Sequence, residues 1–168
     1  MTNTNGRWRN VAAVAGVVAA AAAVLPLAGG ASAQTAPAAS VAIQAAVDTT
    51  ITIRSSGTNL EFQPSSVSAK AGTRVRIRYV NEGTFPHNLV IMKDENDIDK
   101  LGLAAFKASK TGYVPVEFET LMVAHSELAI PGSTVEIEFV MPAAGEYTFV
   151  CLYPGHYNMM LGTLRSLK

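Results

Sequence analysis

Between residues 73 and 80 apolar and charged side chains alternate. Val75, Ile77 and Tyr79 fall on one phase, and Arg74, Arg76 and Arg78 on the other. Successive side chains of a strand point to opposite faces, so this stretch predicts a strand with one buried and one wet face. The arginine row then reads as a solvated strand face rather than an anion site. Residues 49–54 and Thr134–Val140 alternate in the same way and are rich in β-branched residues, which predicts two further strands. Residues 60–62 and 66–69 predict another strand or pair, bent at Pro64. Residues 87–92 form a short apolar strand, 113–121 an extended segment, and 146–151 and Leu161–Leu167 the last two strands. Turn residues separate them at Ala71-Gly72-Thr73, Pro131-Gly132-Ser133 and Ala143-Ala144-Gly145. One stretch breaks the rhythm. Asp94, Glu95 and Asp97 precede Ile98, Leu101, Ala105 and Phe106, with Lys100, Lys107 and Lys110 later, so 94–110 predicts a helical excursion whose charges complement a helix dipole. Seven or eight short strands with turns at regular spacing predict an all-β fold, a Greek-key antiparallel β-sandwich with one short helical insertion.

The first residues do not fit that rhythm. Arg7 and Arg9 precede an uninterrupted small-apolar run over 11–25, broken by Pro26, Gly29 and Gly30. Ala31-Ser32-Ala33 then fits a small-x-small cleavage site before Gln34, so 1–33 is expected to be a signal peptide. The alternative is a retained membrane anchor, for which 11–27 is just long enough by the ~20-residue rule, though its alanines make it weakly hydrophobic. Residues 34–47, uncharged and rich in Ala, Pro and Ser, read as a linker, and 48–168 as the folded domain. The expected location is periplasmic or extracellular, with membrane anchoring as the alternative.

Apolar residues make up 49% of the 168, enough for a substantial core, and the net charge of +0 argues against an electrostatic nucleic-acid binder. The chain has one cysteine, which cannot form an internal disulfide. In an oxidising compartment such a thiol is either packed away as a small hydrophobe or put to use as a ligand or nucleophile.

The neighbourhood of Cys151 decides. The run Cys151-Leu152-Tyr153-Pro154-Gly155-His156-Tyr157-Asn158-Met159-Met160 starts at a strand end and stops where the next strand begins. Such a tight loop can aim a thiolate, an imidazole and a thioether at one point. Cys151 with His156 alone could form a nucleophilic pair, but a hydrolase also needs an orienting carboxylate or carboxamide and an oxyanion hole, and neither stands nearby. Nucleophilic catalysis has no use for a methionine. Copper does: two imidazoles, one thiolate and a weak axial thioether make a blue-copper electron-transfer site. The second imidazole must come from outside the loop, from His87 or His125.

Cys151-x4-His156-x3-Met160, followed by Gly162-Thr163-Leu164, resembles the ligand loop of azurin, with its C-x-x-P-G-H core intact. Pro86-His87-Asn88 is similar to the plastocyanin form of the first-histidine motif. Residues 60–72, Ile130-Pro131-Gly132-Ser133 and Pro142-x-x-Gly145-x-Tyr147 match other strands of the same proteins. Over roughly residues 50–167, on the scale of one domain, the chain resembles the cupredoxin family, the azurin-, auracyanin- and plastocyanin-like small blue copper proteins. The resemblance implies one type 1 copper ion cycling between Cu(I) and Cu(II), held by His87, Cys151, His156 and the axial Met160. Met159 competes for the axial place, but the five-residue step from Cys151 to His156 and Gly162 two residues after Met160 favour Met160. Pro86 departs from azurin, where a Gly before the first histidine brings a carbonyl near the metal. The resemblance also implies that the Asn88 side chain ties the His87 strand to the Cys151 region. With no Pro at position 153, the Tyr153 N–H is free to donate to the sulfur.

The implied function is that of a mobile one-electron carrier, monomeric and not an enzyme. Its partners would be redox proteins such as a membrane cytochrome or oxidase, docking near His156, around which Phe85, Pro86, Pro154, Tyr157, Met159 and Leu161 gather. The alternative is a copper chaperone or storage protein, for which Met159-Met160 is the only methionine pair. A multicopper enzyme needs many more than three histidines. His125 is expected to be a non-ligand surface residue.

Overall fold

A computed structural model describes residues 46–168. The expected signal segment 1–33 and residues 34–45 of the linker lie outside the described residues.

Among the described residues, eight strands form two sheets. Strands β1 (Thr49–Gly57), β3 (Arg74–Gly83) and β6 (Thr134–Val140) make a three-stranded sheet in the order β1-β3-β6. Strands β2 (Ser66–Lys70), β4 (Val90–Met92), β5 (Met122–His125), β7 (Gly145–Val150) and β8 (Leu161–Leu167) make a five-stranded sheet in the order β2-β8-β7-β4-β5. The sandwich is as expected, but the sheets are mixed rather than wholly antiparallel: β1 runs parallel to β3, and β2 parallel to β8. The cause is topological. Between β1 and β3 the chain crosses to the other sheet to form β2, and a crossover returns the next strand in the same direction, where a hairpin would reverse it.

The alternation in β3 works as its sequence implies. Val75, Ile77 and Tyr79 are fully buried, and the arginines face outward. The register sets Arg76 opposite Glu138 and Arg78 opposite Glu136. Arg76 is ion-paired to both glutamates, and Arg74 to Glu138. The basic row is half of a cross-strand ladder, which leaves no reason to see an anion site.

The apolar runs of β4 and β7 are buried on both faces. Ile91 and Phe149 point into the core between the sheets, with Ile53, Phe62 and Ile77. Their neighbours Val90, Met92 and Val150 point the other way, into a second core with Leu101, Ala105 and Val114. Leu101 and Ala105 belong to α1 (Ile98–Ala105), which follows a 3-10 turn at Glu95–Asp97 capped by the Asp94 side chain on Asn96 N–H. The helical excursion therefore covers the outer face of the five-stranded sheet. Residues 113–121 are not extended as expected. A 3-10 segment, Val116–Leu121, occupies most of them, and β5 follows it. Pro115 at the head of that segment and the packing of Phe118 and Leu121 on the second core outweigh the strand-like composition.

Candidate metal centre

Three separate segments meet at one end of the sandwich. His87 lies just before β4, pinned to the 126–133 connection by paired backbone hydrogen bonds: His87 N–H donates to Ala129 O at 3.0 Å and Ala129 N–H to His87 O at 2.7 Å. Behind this pair stands Asn81. It falls on the core-facing phase of β3, after Val75, Ile77 and Tyr79, yet it is polar and fully buried. Its Nδ2 donates to Phe85 O and to Ala129 O, each at 2.8 Å, and its Oδ1 accepts from Gly83 N–H and Ser55 Oγ, each at 3.0 Å. Ser55 in turn bonds Tyr79 Oη at 2.7 Å. Both chain segments flanking His87 are thus tied to one buried amide, and every polar atom of that amide is satisfied. The sequence reading passed over Asn81; the signal was there, a polar residue on the apolar phase of an alternating strand.

Cys151 leaves β7 with its N–H bonded to Met160 O at 3.0 Å, which closes the base of the loop between them. Inside, His156 N–H donates to Tyr153 O, and the N–H groups of Met159 and Met160 both donate to His156 O. Gly155 makes the turn at φ 84, a conformation that glycine adopts without strain. The sharp loop presents His156 back toward Cys151.

The result is a triangle of donors. Cys151 Sγ lies 3.7 Å from His87 Nδ1 and 3.7 Å from His156 Nδ1, and the two nitrogens are 3.2 Å apart. Three ligands in a trigonal array around one ion, at bond lengths of about 2.0 Å for nitrogen and 2.3 Å for sulfur, stand roughly 3.5–3.8 Å from one another. The two 3.7 Å sulfur–nitrogen edges fall in that range, and the 3.2 Å nitrogen–nitrogen edge is slightly shorter, that of an N–metal–N angle of about 106° at about 2.0 Å bonds. The chemistry of the donors fits too: two imidazoles and one thiolate-forming sulfur, the trigonal set that copper favours.

Electrostatics points the same way. Burial, reinforced by the neighbouring His156, lowers the His87 pKa to about 4, and burial lowers that of His156. Both rings stay neutral near pH 7. Burial raises the Cys151 thiol to about 11, against the opposing pull of the backbone N–H groups of Asn88 and Tyr153. With their protons on Nε2, both imidazoles turn an Nδ1 lone pair toward the buried sulfur, three soft or borderline donors converging on one point. A cation bound among them would turn the thiol into a thiolate. The sulfur is fully buried, which leaves a substrate no approach to it as a nucleophile.

Asn88 ties the regions together as the resemblance implies. Its Oδ1 accepts from Leu152 N–H at 2.7 Å, and its Nδ2 donates to Gly112 O at 2.9 Å. The backbone N–H groups of Tyr153 and, unforeseen from the sequence, of Asn88 are the two influences that pull the Cys151 pKa back down. Met160 is fully buried in the same core as Cys151, whereas Met159 is 60% exposed. His125 ends β5, partly buried, and is not part of the donor cluster.

Comparison with known proteins gives a consistent result. A model of copper binding proteins of the plastocyanin/azurin family matches residues 49–166. Auracyanin-A of Chloroflexus aurantiacus is 37% identical over 120 residues, covering 68% of this chain and 72% of that protein. Auracyanin-B of the same organism is 30% identical over 119 residues, covering 68% of this chain but only 51% of its own length. The solved structure of auracyanin A, described as a "blue" copper protein, superposes with a TM-score of 0.67 at 35% identity, covering 70% of this chain and 98% of that one.

Proposed function

The chain belongs to the plastocyanin/azurin family of copper-binding proteins, and from that premise we infer that it is an exported, mobile one-electron carrier whose single type 1 copper is held by His87, Cys151, His156 and Met160. The observation that carries this reading is the closed triangle of His87 Nδ1, Cys151 Sγ and His156 Nδ1, assembled from two distant parts of the chain and buried on all sides but one. Copper bound there supplies a one-electron couple between Cu(I) and Cu(II). The protein's part is to hold the donors still. His87 is locked by Ala129 and Asn81, Cys151 by β7 and the Met160 carbonyl, and His156 by its short loop. Donors that cannot rearrange keep the nuclear motion of a redox step small. The N–H groups of Asn88 and Tyr153 stabilise the Cys151 thiolate and tune the potential.

His156 is the triangle member nearest solvent, 7% exposed, with the Phe85 ring set edge-on to it at 6.1 Å. Phe85, Met159 and Leu161 stand exposed around it. This apolar rim suits a small, transient contact with a redox partner such as a membrane cytochrome or oxidase, with electrons passing through the His156 edge. The protein acts as a monomer. Residues 1–33 direct export to the periplasm or cell exterior and are cleaved, 34–47 form a linker, and 48–168 form the working domain; the mass of the mature protein separates cleavage from a retained anchor. A copper store or chaperone needs an accessible site, which the burial of the three donors disfavours. Purified protein with one equivalent of Cu(II) is expected to turn intensely blue, bleach on reduction, and keep its copper through voltammetric cycling beside a chelator. A colourless complex, or copper lost to the chelator on cycling, overturns the carrier.

A further inference from the structure

The helical excursion does more than cover a sheet face. It touches the Cys151–Met160 loop at two tyrosines. On α1, Gly102 is buried flat against the Tyr157 ring, and a Cβ built there would overlap three of the ring carbons. In the turn that follows α1, Tyr113 packs edge-to-face on Tyr153, with ring centroids 4.9 Å apart and an interplanar angle of 72°. The Tyr153 ring lies 5.0 Å from the imidazole of His156. Tyr153 and Tyr157 bracket His156 in the sequence, three residues before it and one after.

Both seats go against local preference. Glycine is a poor residue inside a helix. Tyr113 takes φ 65, and it is the only non-glycine residue with positive φ among the described residues. A bulky side chain in the left-handed region is strained, and such strain persists only where surrounding structure holds it in place. Local preference alone would put alanine in the helix and glycine in the turn. Two locally unfavourable residues, both directed at one ten-residue loop, have a shared purpose when the loop is what they shape.

We propose that the excursion is a mould for the ligand loop: Gly102 and Tyr113 are positioning residues that seat Tyr157 and Tyr153, and through them hold His156 in its metal-ready position before any metal arrives. A loop ordered in advance gives up less freedom on binding, so metal is held longer. Only the copper readout below rests on the function proposed above; the mould itself is a property of the metal-free protein.

The test is amide hydrogen exchange on metal-free protein, read at the N–H groups of His156, Met159 and Met160, which are bonded within the loop. Gly102→Ala places a methyl where the Tyr157 ring sits while favouring the helix itself. Tyr113→Gly deletes the ring and suits the backbone angle. Tyr113→Gly is expected to speed exchange of the loop amides by about threefold to tenfold, the range that loss of its aromatic pair with Tyr153 corresponds to, and Gly102→Ala to speed it in the same direction, with β3 and β7 amides unchanged in both. Tyr113→Phe and Tyr157→Phe keep the rings and are expected to behave as wild type. In copper-loaded protein, transfer to a competing chelator is expected to quicken by a similar factor. Wild-type loop exchange in both ring-displacing variants overturns the proposal, as does a uniform rise across the sheets or an equal loss in the Phe variants. If Gly102→Ala does not fold, Tyr113→Gly decides alone. A wild-type copper complex without blue colour refutes the carrier and leaves the exchange result to decide the mould.

Discussion

Asn81 carries the sharpest stability prediction. Replacing it with alanine removes four hydrogen bonds, but not four partners. Ala129 O keeps the His87 N–H, and Ser55 Oγ keeps the Tyr79 hydroxyl. The groups stripped of this partner are Phe85 O and Gly83 N–H, both bonded in part-buried surroundings. At about 1–3 kcal/mol for each polar group left unsatisfied, and with water able to reach one side, the loss is about 3 kcal/mol. Asn81→Asp is the more searching variant. It has the same shape but sets a carboxylate oxygen against the carbonyls of Phe85 and Ala129, where an amide donated at 2.8 Å. At pH 7 it is expected to destabilise more than alanine does, because a buried charge now faces two acceptors. In such a site the carboxyl pKa is raised, so stability is lost as pH rises through it, and acidification should narrow the gap to Asn81→Ala as the protonated carboxyl regains a donor. Urea unfolding of the metal-free protein with unchanged m-value measures both variants. A loss below about 1 kcal/mol for alanine, or an aspartate variant at pH 7 no worse than alanine, refutes the claim that this amide anchors the His87 segment.

Three further outcomes follow from the site. The His87 pKa falls from 6.5 to about 4 on folding, so the unfolded chain takes up a proton that the folded one refuses. Its contribution to stability is complete above about pH 6.5 and lost as pH falls, by about 1 kcal/mol at pH 5.5 and on the order of 3 kcal/mol at pH 4, which urea midpoints of metal-free protein across that range would report. Met159→Ala should leave the visible spectrum and potential unchanged, because the side chain is exposed, while Met160→Ala should shift both; the reverse pattern would move the axial ligand to Met159. His125→Gln should keep the colour, and bleaching would show that the wrong histidine had been assigned to the metal.

Much of the fold and of the site was legible in the chain itself, and its limits have a common cause. Alternation over β3 and β6 marked their buried faces because strand periodicity is a property of adjacent residues. The loop from Cys151 to Met160 was readable for the same reason: three donor types within ten residues, with Pro154 and Gly155 to turn the chain between them. The residues alone left His87 and His125 equal, and resemblance to a family was needed to choose between them. The structure brings His87 Nδ1 to Cys151 across 64 positions and to His156 across 69, while His125 stays at the end of β5. Tertiary structure alone decided the parallel pairing of β1 with β3 and of β2 with β8, the 3-10 course of Val116–Leu121, the four bonds of Asn81, and the seating of Tyr157 on Gly102. Each depends on which surfaces meet once loops have closed. A periodic pattern tells a residue which way to face, but not which distant residue will be facing it.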